Sequence, residues 1–125
     1  ITPSATSSKI LLQAKFSGGC QNWVLLKFKR DIGGGGYADF GLPSTATGNQ
    51  SNAHFGGLHS KGSSDNAEVA WDYLDSPSTV SAVSYQIWGA SHDPNTIWIN
   101  RTHGNANYPQ VGGTTSSVTL MEIGV

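Results

Sequence analysis

The side chains of this sequence that could do chemistry are carboxylates, imidazoles and one thiol. Glycoside hydrolysis needs a pair of carboxylates flanking the bond that breaks. The acidic residues are instead scattered, and several stand beside turn residues, where Asp commonly accepts backbone hydrogen bonds. They are Asp31, Asp39, Asp65, Glu68, Asp72, Asp75, Asp93 and Glu122. No catalytic residue is assigned, and we expect a protein that is not an enzyme.

The histidines and the single cysteine also lack the spacing of a reactive or metal-binding site. His54 and His59 are separated by four residues in a glycine-rich segment, which does not place two imidazoles on one face. Cys20 follows a Ser-Gly-Gly turn, has no neighbouring histidine to activate it and cannot form a disulfide within the chain. We therefore expect surface histidines, a partly buried thiol, and neither a metal nor a cofactor.

Aromatic side chains on polar strand faces are better candidates for binding. Trp88 shares its parity with Ser84 and Gln86, and Trp98 stands among polar residues in the same way. Three interpretations remain open for such a ring: it covers a loop, contacts another subunit, or stacks on a sugar. For a sugar site the candidate residues are Trp88, Trp98, Tyr37 and Tyr108, with Asn105 and Asn107 as amide hydrogen-bond partners.

Strands must position these residues, because the hydrophobic pattern has a period of two. Ile10, Leu12, Ala14 and Phe16 share one face of a strand whose other face carries Leu11, Gln13, Lys15 and Ser17, and residues 67–73 alternate in the same way. Residues 82–88 and 96–101 are predicted to form a hairpin with its turn at Asp93-Pro94-Asn95. About eight short strands predict an all-β protein, an antiparallel β-sandwich of jelly-roll type. The expected core is Ile10, Leu12, Phe16, Leu25, Val69, Trp71, Tyr85, Ile87, Ile97, Ile99 and Leu120.

One strand differs from the rest because it is apolar on both parities. Trp23, Val24 and Leu26 belong to this segment, and a strand with two apolar faces indicates cover by a second sheet on one side and a neighbouring subunit on the other. Arg101, at a predicted strand end, is expected to anchor a loop or a neighbouring subunit.

Composition limits the class of protein. The chain has 125 residues, enough for one domain with its own core, and about two-fifths of them are Gly, Ser, Thr or Asn, which favours strands and turns. The formal net charge is −1. No basic patch indicates nucleic acid, and no long apolar run indicates membrane insertion.

Four segments in order carry a family resemblance. They are residues 1–11 (ITPSATSSKIL), residues 76–81 (SPSTVS) followed by Tyr85, residues 99–102 (INRT) and residues 116–123 (SSVTLMEI). With these segments the sequence resembles the C-terminal β-domain of structural proteins from tailed phages, especially marine and cyanobacterial ones. The likeness covers residues 1–20 and 72–125 and is weak between Gly33 and Asn66.

The resemblance implies a phage virion domain, residues 1–125 being the C-terminal part of a longer tail-fibre protein that attaches the particle to the host cell. It implies a homotrimer that contacts other virion proteins and a host-surface glycan, and that is assembled in the host cytoplasm. Two alternatives remain: a decoration or capping module that binds no receptor, and a carbohydrate-binding module of a larger hydrolase.

Overall fold

The computed structural model describes residues 1–20, 22–59, 65–91, 96–102, 104 and 112–124, with the side chain of Leu58 excepted. These residues contain no helix, and so none that could span a membrane. The strands are β1 (Lys9–Gly19), β2 (Val24–Ile32), β3 (Ala38–Asp39), β4 (Phe55–Leu58), β5 (Ala67–Asp75), β6 (Val83–Ser91), β7 (Trp98–Ile99) and β8 (Ser117–Ile123). The predicted all-β, antiparallel sandwich is confirmed.

Two four-stranded sheets are built around β1 and β2. In the β1 sheet, β5 pairs with one edge of β1, while β8 and β7 share its other edge. In the β2 sheet, β6 pairs with one edge of β2, while β4 and β3 share the other. All these pairings are antiparallel. Because a β-strand is pleated, consecutive residues point alternately into and out of the sandwich.

The inner faces of the two central strands form the core. Burial of each large apolar side chain contributes about 1.5–3 kcal/mol. The buried residues are Ile10, Leu12, Ala14 and Phe16 of β1 and Val24, Leu26 and Phe28 of β2. Half-buried side chains from the flanking strands, among them Trp71 and Ile87, pack against both parts of this core.

The expected core list is confirmed only in part. Ile10, Leu12 and Phe16 are buried. Ile99 was wrongly expected there: it is 62% exposed, because it lies on a two-residue edge strand beside an open cleft. The remaining expected core residues are half-buried, namely Leu25, Val69, Trp71, Tyr85, Ile87, Ile97 and Leu120.

The predicted hairpin between residues 82–88 and 96–101 is wrong. β6 pairs with β2, whereas β7 pairs with β1 through Gly18 and Gly19, so the two strands belong to different sheets. The apolar patterns of the two strands are compatible with either arrangement. Alternation indicates which side chains point inward, but it does not indicate which strand is the hydrogen-bonded partner. The turn predicted at Asp93-Pro94-Asn95 lies outside the described residues.

A buried ion pair joins the sheets at one end of the sandwich. Arg30 of β2 donates from Nη1 to both carboxylate oxygens of Asp75 on β5, at 2.7 and 2.9 Å. Tyr85 of β6 donates its hydroxyl to the same carboxylate at 2.7 Å. Burial and this hydrogen bond raise the pKa of Tyr85 above its ordinary value of 10.0, so the phenol remains a donor. Three strands are thereby tied to one carboxylate.

The first residues of the chain cross the same end of the sandwich. Ile1 exchanges backbone hydrogen bonds with Val83 at the start of β6, and Ser4 donates from its backbone nitrogen and its hydroxyl to Oε1 of Glu122 on β8. Hydrogen bonds from Ser4 lower the pKa of Glu122, which favours the ionised acceptor. The segment thus links an outer strand of each sheet.

His54 fills a gap in the edge of the β2 sheet. β4 pairs with β2 up to Leu26, and β3 begins its pairing at Lys29. Between them, Nδ1 of His54 accepts the backbone N–H of Phe28 at 3.1 Å, and the imidazole lies among aromatic rings. The expectation that His54 lies on the surface is therefore wrong. Its imidazole is held at the edge of the sheet because it accepts the backbone N–H of Phe28.

Gly18 provides the first test of the fold. A Cβ atom at this position would collide with the carbonyl oxygen of Trp98 in the paired strand β7. We expect Gly18→Ala to lower the free energy of unfolding by about 1–3 kcal/mol. Gly112→Ala is the matched control, because a Cβ there meets no atom within 4 Å. Urea denaturation measures both, and equal midpoints would contradict the observed β1–β7 pairing.

His54 gives a pH dependence of stability. Burial holds the pKa of His54 below its usual 6.5, against the opposing effect of the Asp39 carboxylate. Below pH 6.5 the unfolded chain therefore takes up a proton that the folded chain resists, so stability should fall as pH decreases from 7.5 towards the folded pKa. His54→Asn should be less stable at pH 7.5 and should show a smaller fall. An unchanged pH slope in this variant would assign the effect to other groups.

Candidate functional site

The outer face of the β2 sheet carries a large hollow. Because Val24 and Leu26 point inward, Leu25 and Lys27 point outward. In the register of the sheet, Leu25 lies opposite Ala90 and Lys27 lies opposite Trp88 on β6. A floor formed by the apolar side chains of Leu25 and Ala90 therefore ends at Trp88.

A wall of polar residues stands along this floor. The hollow has a volume of about 870 Å³, and it continues into a smaller one of about 210 Å³ that Leu25, Ala90 and residues 51–53 also line. We call the two together the indole groove. Its principal lining residues are Trp23, Leu25, Lys27, Pro43, Thr45, Asn49, Gln50, Ser51, Asn52, Trp88 and Ala90.

Local hydrogen bonds shape the wall. Asn52 Oδ1 accepts the backbone N–H of Ala46 at 3.2 Å, and Gln50 Oε1 accepts that of Thr47 at 3.1 Å. The next backbone contact anchors the segment to the sheet, because His54 donates its N–H to the carbonyl of Leu26 at 3.1 Å. The wall thus forms without regular secondary structure, and amides and hydroxyls line the groove.

A tryptophan stands at each end of the groove, and each ring has a neighbour that orients it. Trp23 is 60% exposed and lies 5.8 Å from the His59 ring, measured between centroids. Trp88 is 48% exposed; Lys29 Nζ lies 4.0 Å from its ring centroid, and its indole N–H donates to Gln86 at 3.0 Å. Both indole rings are therefore exposed to solvent, and neighbouring side chains contact each of them.

The Trp88 end of the groove is positively charged. Lys27 Nζ lies 2.7 Å from Asp39 Oδ2, and Lys29 Nζ lies 3.6 Å from Asp39 Oδ1. The hydrogen bond from Lys27 lowers the pKa of Asp39, so the carboxylate is ionised at neutral pH. Two ammonium groups share one carboxylate, which leaves one positive charge in excess.

The described residues that line the groove include no carboxylate, imidazole or thiol. Asp75 is bound to Arg30 and Glu122 accepts from Ser4, both away from this surface. Elsewhere in the described part, no group of three or more His, Cys, Asp or Glu side chains is placed to hold a metal ion. Hydrogen bonding, ring stacking and a single cationic contact are the interactions that the groove offers.

The structure separates the ligand residues expected from the sequence. Trp88 lies in the groove, whereas Trp98 is half-buried on the β1 sheet, with the Arg101 guanidinium carbon 5.9 Å from its ring centroid. Tyr37 is 37% exposed, before β3 and outside the lining of the groove. Tyr108, Asn105 and Asn107 lie outside the described residues.

The expected subunit-interface residues need a correction. Val24 is 0% exposed and Leu26 2% exposed within the single chain, so their side chains offer no surface to a neighbouring subunit. The second sheet covers one face of this strand, and on the other face Trp23 and Leu25 line the groove. Arg101 is exposed and forms an isolated bridge with Gly113.

Two groove residues have a different role in the sequence-based expectations: Trp23 is expected at a subunit interface and Leu25 in the core. Strand alternation in the sequence predicts that the Trp23 side chain points outward, because Val24 next to it points inward. The polar wall that faces Trp23 could not be predicted, because the hydrogen bonds of Asn52 and Gln50 to the nearby backbone leave no periodic pattern in the sequence. Comparison of the chain with family models, curated proteins and solved structures found no match.

The tryptophans should differ in what they contribute to stability. Trp71 packs on both parts of the core and contacts the rings of Phe28 and Phe55, so Trp71→Ala should cost about 3 kcal/mol. Trp88→Ala and Trp23→Ala should each cost less than about 1 kcal/mol, because both rings are largely exposed. Thermal or urea unfolding measures the three variants. Similar losses in all of them would make the groove tryptophans structural.

Proposed function

We propose that this chain is a non-enzymatic receptor-binding domain of a phage tail fibre, and that it attaches the particle to the host by binding a surface glycan in the indole groove. The observation that carries the proposal is the pair of supported, exposed tryptophans at the two ends of a groove lined with amides and hydroxyls. The phage context comes from the resemblance of the terminal segments, and it is the part of the proposal that the groove does not address.

A carbohydrate suits this groove for a chemical reason. An indole offers a flat apolar face to the C–H groups of a sugar ring, and the tryptophan N–H remains polar. Sugar hydroxyls need neutral donors and acceptors, which Asn49, Gln50 and Asn52 supply along the wall. Ligand sites combine these features: apolar surface with a few placed polar groups.

The length of the groove favours an oligosaccharide. Trp88 lies opposite Lys27, which is four residues beyond Trp23 along β2. At about 3.3 Å per strand residue the two indoles stand on the order of 13 Å apart along the strand direction. The larger hollow alone is within the usual range of about 300–1,000 Å³ for small-molecule sites. A chain of sugars can therefore contact both rings at once.

A single shallow groove of this kind binds weakly, so durable attachment depends on several copies. Linked sites raise the effective concentration of one another without any new contact. The homotrimer implied by the resemblance would supply three grooves on one fibre. With Val24 and Leu26 in the core, its interface must use other surfaces of the domain.

A decoration module is the second candidate, and an apolar row on the outer face of the β1 sheet favours it. Leu11 of β1 pairs in register with Leu74 of β5 on one side and Met121 of β8 on the other. Leu74 and Met121 are each 48% exposed. Contiguous exposed apolar surface is typical of protein contacts, and this row is the surface through which a module without a receptor would contact another virion protein.

Paired variants separate the two candidates. Trp23→Ala with Trp88→Ala should abolish binding to an oligosaccharide array and reduce adsorption to host cells by at least about tenfold, while the fold remains intact. Leu74→Ser with Met121→Ser is the matched control, because it also removes two exposed apolar side chains but leaves the groove unchanged. This control should bind glycans like the wild type.

The reverse pattern would favour the decoration module. Full adsorption by the tryptophan variant, together with loss of incorporation into particles by the Leu74 and Met121 variant, would rule out the indole groove as the attachment site. If the wild type binds glycans and the tryptophan variant loses that binding without any effect on adsorption, the remaining alternative is favoured, a carbohydrate-binding module of a larger hydrolase.

A further inference from the structure

The charges of the indole groove are all at one end. Lys27 lines the groove beside Trp88, and Lys29 Nζ lies 4.0 Å from the ring centroid of the same indole. Asp39 balances one of the two ammonium groups. The other described residues that line the groove are uncharged, including those around Trp23. The groove is therefore neutral at one tryptophan and cationic at the other.

We infer that the groove selects an acidic oligosaccharide, with an anionic sugar bound at Lys27 beside Trp88 and a neutral sugar stacked on Trp23. This inference rests on the proposed function, since it concerns which glycan occupies the same groove. It also fixes the direction of the ligand, because only one end of the groove attracts a negative charge.

The position of Lys27 supports this assignment. Lys27 pairs in register with Trp88 on the β6 side of β2, while Asp39 lies on β3, on the opposite side. Its ammonium has three N–H donors, and the structure gives Asp39 Oδ2 as its acceptor at 2.7 Å. The Lys27 side chain is 27% exposed, so part of it is open to solvent and part is covered. A charge-assisted hydrogen bond to an anionic ligand is stronger than a neutral one.

Lys27 selects the anionic group of the ligand by its charge more than by its shape. A lysine ammonium is a compact point charge, whereas an arginine fork would favour a planar carboxylate geometrically. Uronic-acid carboxylates and sugar sulfate esters therefore share the required chemistry: one negative charge on a sugar ring. Lys29, held over the indole, adds to the same local field.

The test uses an array that pairs uronic-acid oligosaccharides with their carboxyl-reduced forms, and galactan oligosaccharides with sulfated ones. The folded wild-type protein should bind the acidic member of a pair about tenfold more tightly, which corresponds to about 1.4 kcal/mol, and added NaCl should reduce the difference. Preference for carboxylated, sulfated or both kinds of sugar identifies the source of the anion. Equal binding of acidic and neutral members would overturn the inference while leaving the proposed function intact.

Three variants and one charge-matched control assign the preference to Lys27. Lys27→Met should abolish the acidic preference and retain binding of the neutral members, whereas Lys27→Arg should keep the preference. Lys15→Met is the charge-matched control, because Lys15 is an exposed lysine on the other sheet, 3.8 Å from Glu68. Asp39→Asn removes the balancing carboxylate and should enlarge the preference.

The last variant keeps the test decisive if Lys27→Met proves unstable. An unchanged or smaller acidic preference in folded Asp39→Asn would overturn the assignment to this end of the groove. If the wild type binds no member of the array, or if binding survives the loss of both Trp23 and Trp88, the proposed function itself fails. That outcome differs from equal binding of the paired glycans.

Discussion

The constraint on which the rest of the structure depends is the mutual burial of the inner faces of β1 and β2. Each strand is the centre of its sheet, and each places its alternate apolar side chains against the other. Because the side-chain period is two, a slip of one residue would expose this whole set. Fixing Val24, Leu26 and Phe28 inward therefore fixes Leu25 and Lys27 outward, which creates the floor of the indole groove.

The Arg30–Asp75 ion pair and the Tyr85 hydrogen bond at one end of the sandwich contribute less to the free energy of folding than the apolar core does. Replacing a buried ion pair by apolar residues often leaves stability unchanged, whereas removing one partner costs about 3–5 kcal/mol. The Arg30–Asp75 pair, with the Tyr85 hydroxyl on the same carboxylate, links three strands, and loss of any one partner would leave buried polar groups unpaired. His54 serves the edge of the β2 sheet similarly by accepting the one backbone N–H that lies between β4 and β3.

The indole groove and the core use different faces of the same strands. Trp23 and Trp88 expose much of their surface; Trp23 lies beside the His59 ring, and Trp88 contacts Lys29 and Gln86. A rigid sheet with a polar wall can therefore hold aromatic side chains in place while they add little to the core. The uneven charge along the groove follows from the same alternation, which brings Lys27 and Lys29 to the surface that carries Trp88.

The sequence by itself determined the fold class, because alternation in segments such as residues 10–16 and 67–73 directly reflects strands with one buried face. It also indicated Trp88 as an outward aromatic. Only the tertiary structure decided which strands pair, so that β6 and β7 belong to different sheets, that Val24 and Leu26 are core, and that Trp23 faces a wall formed by residues 43–53. The physical reason is that periodicity encodes the face of each residue locally, whereas strand partners and loop walls are set by contacts between residues far apart or without any period.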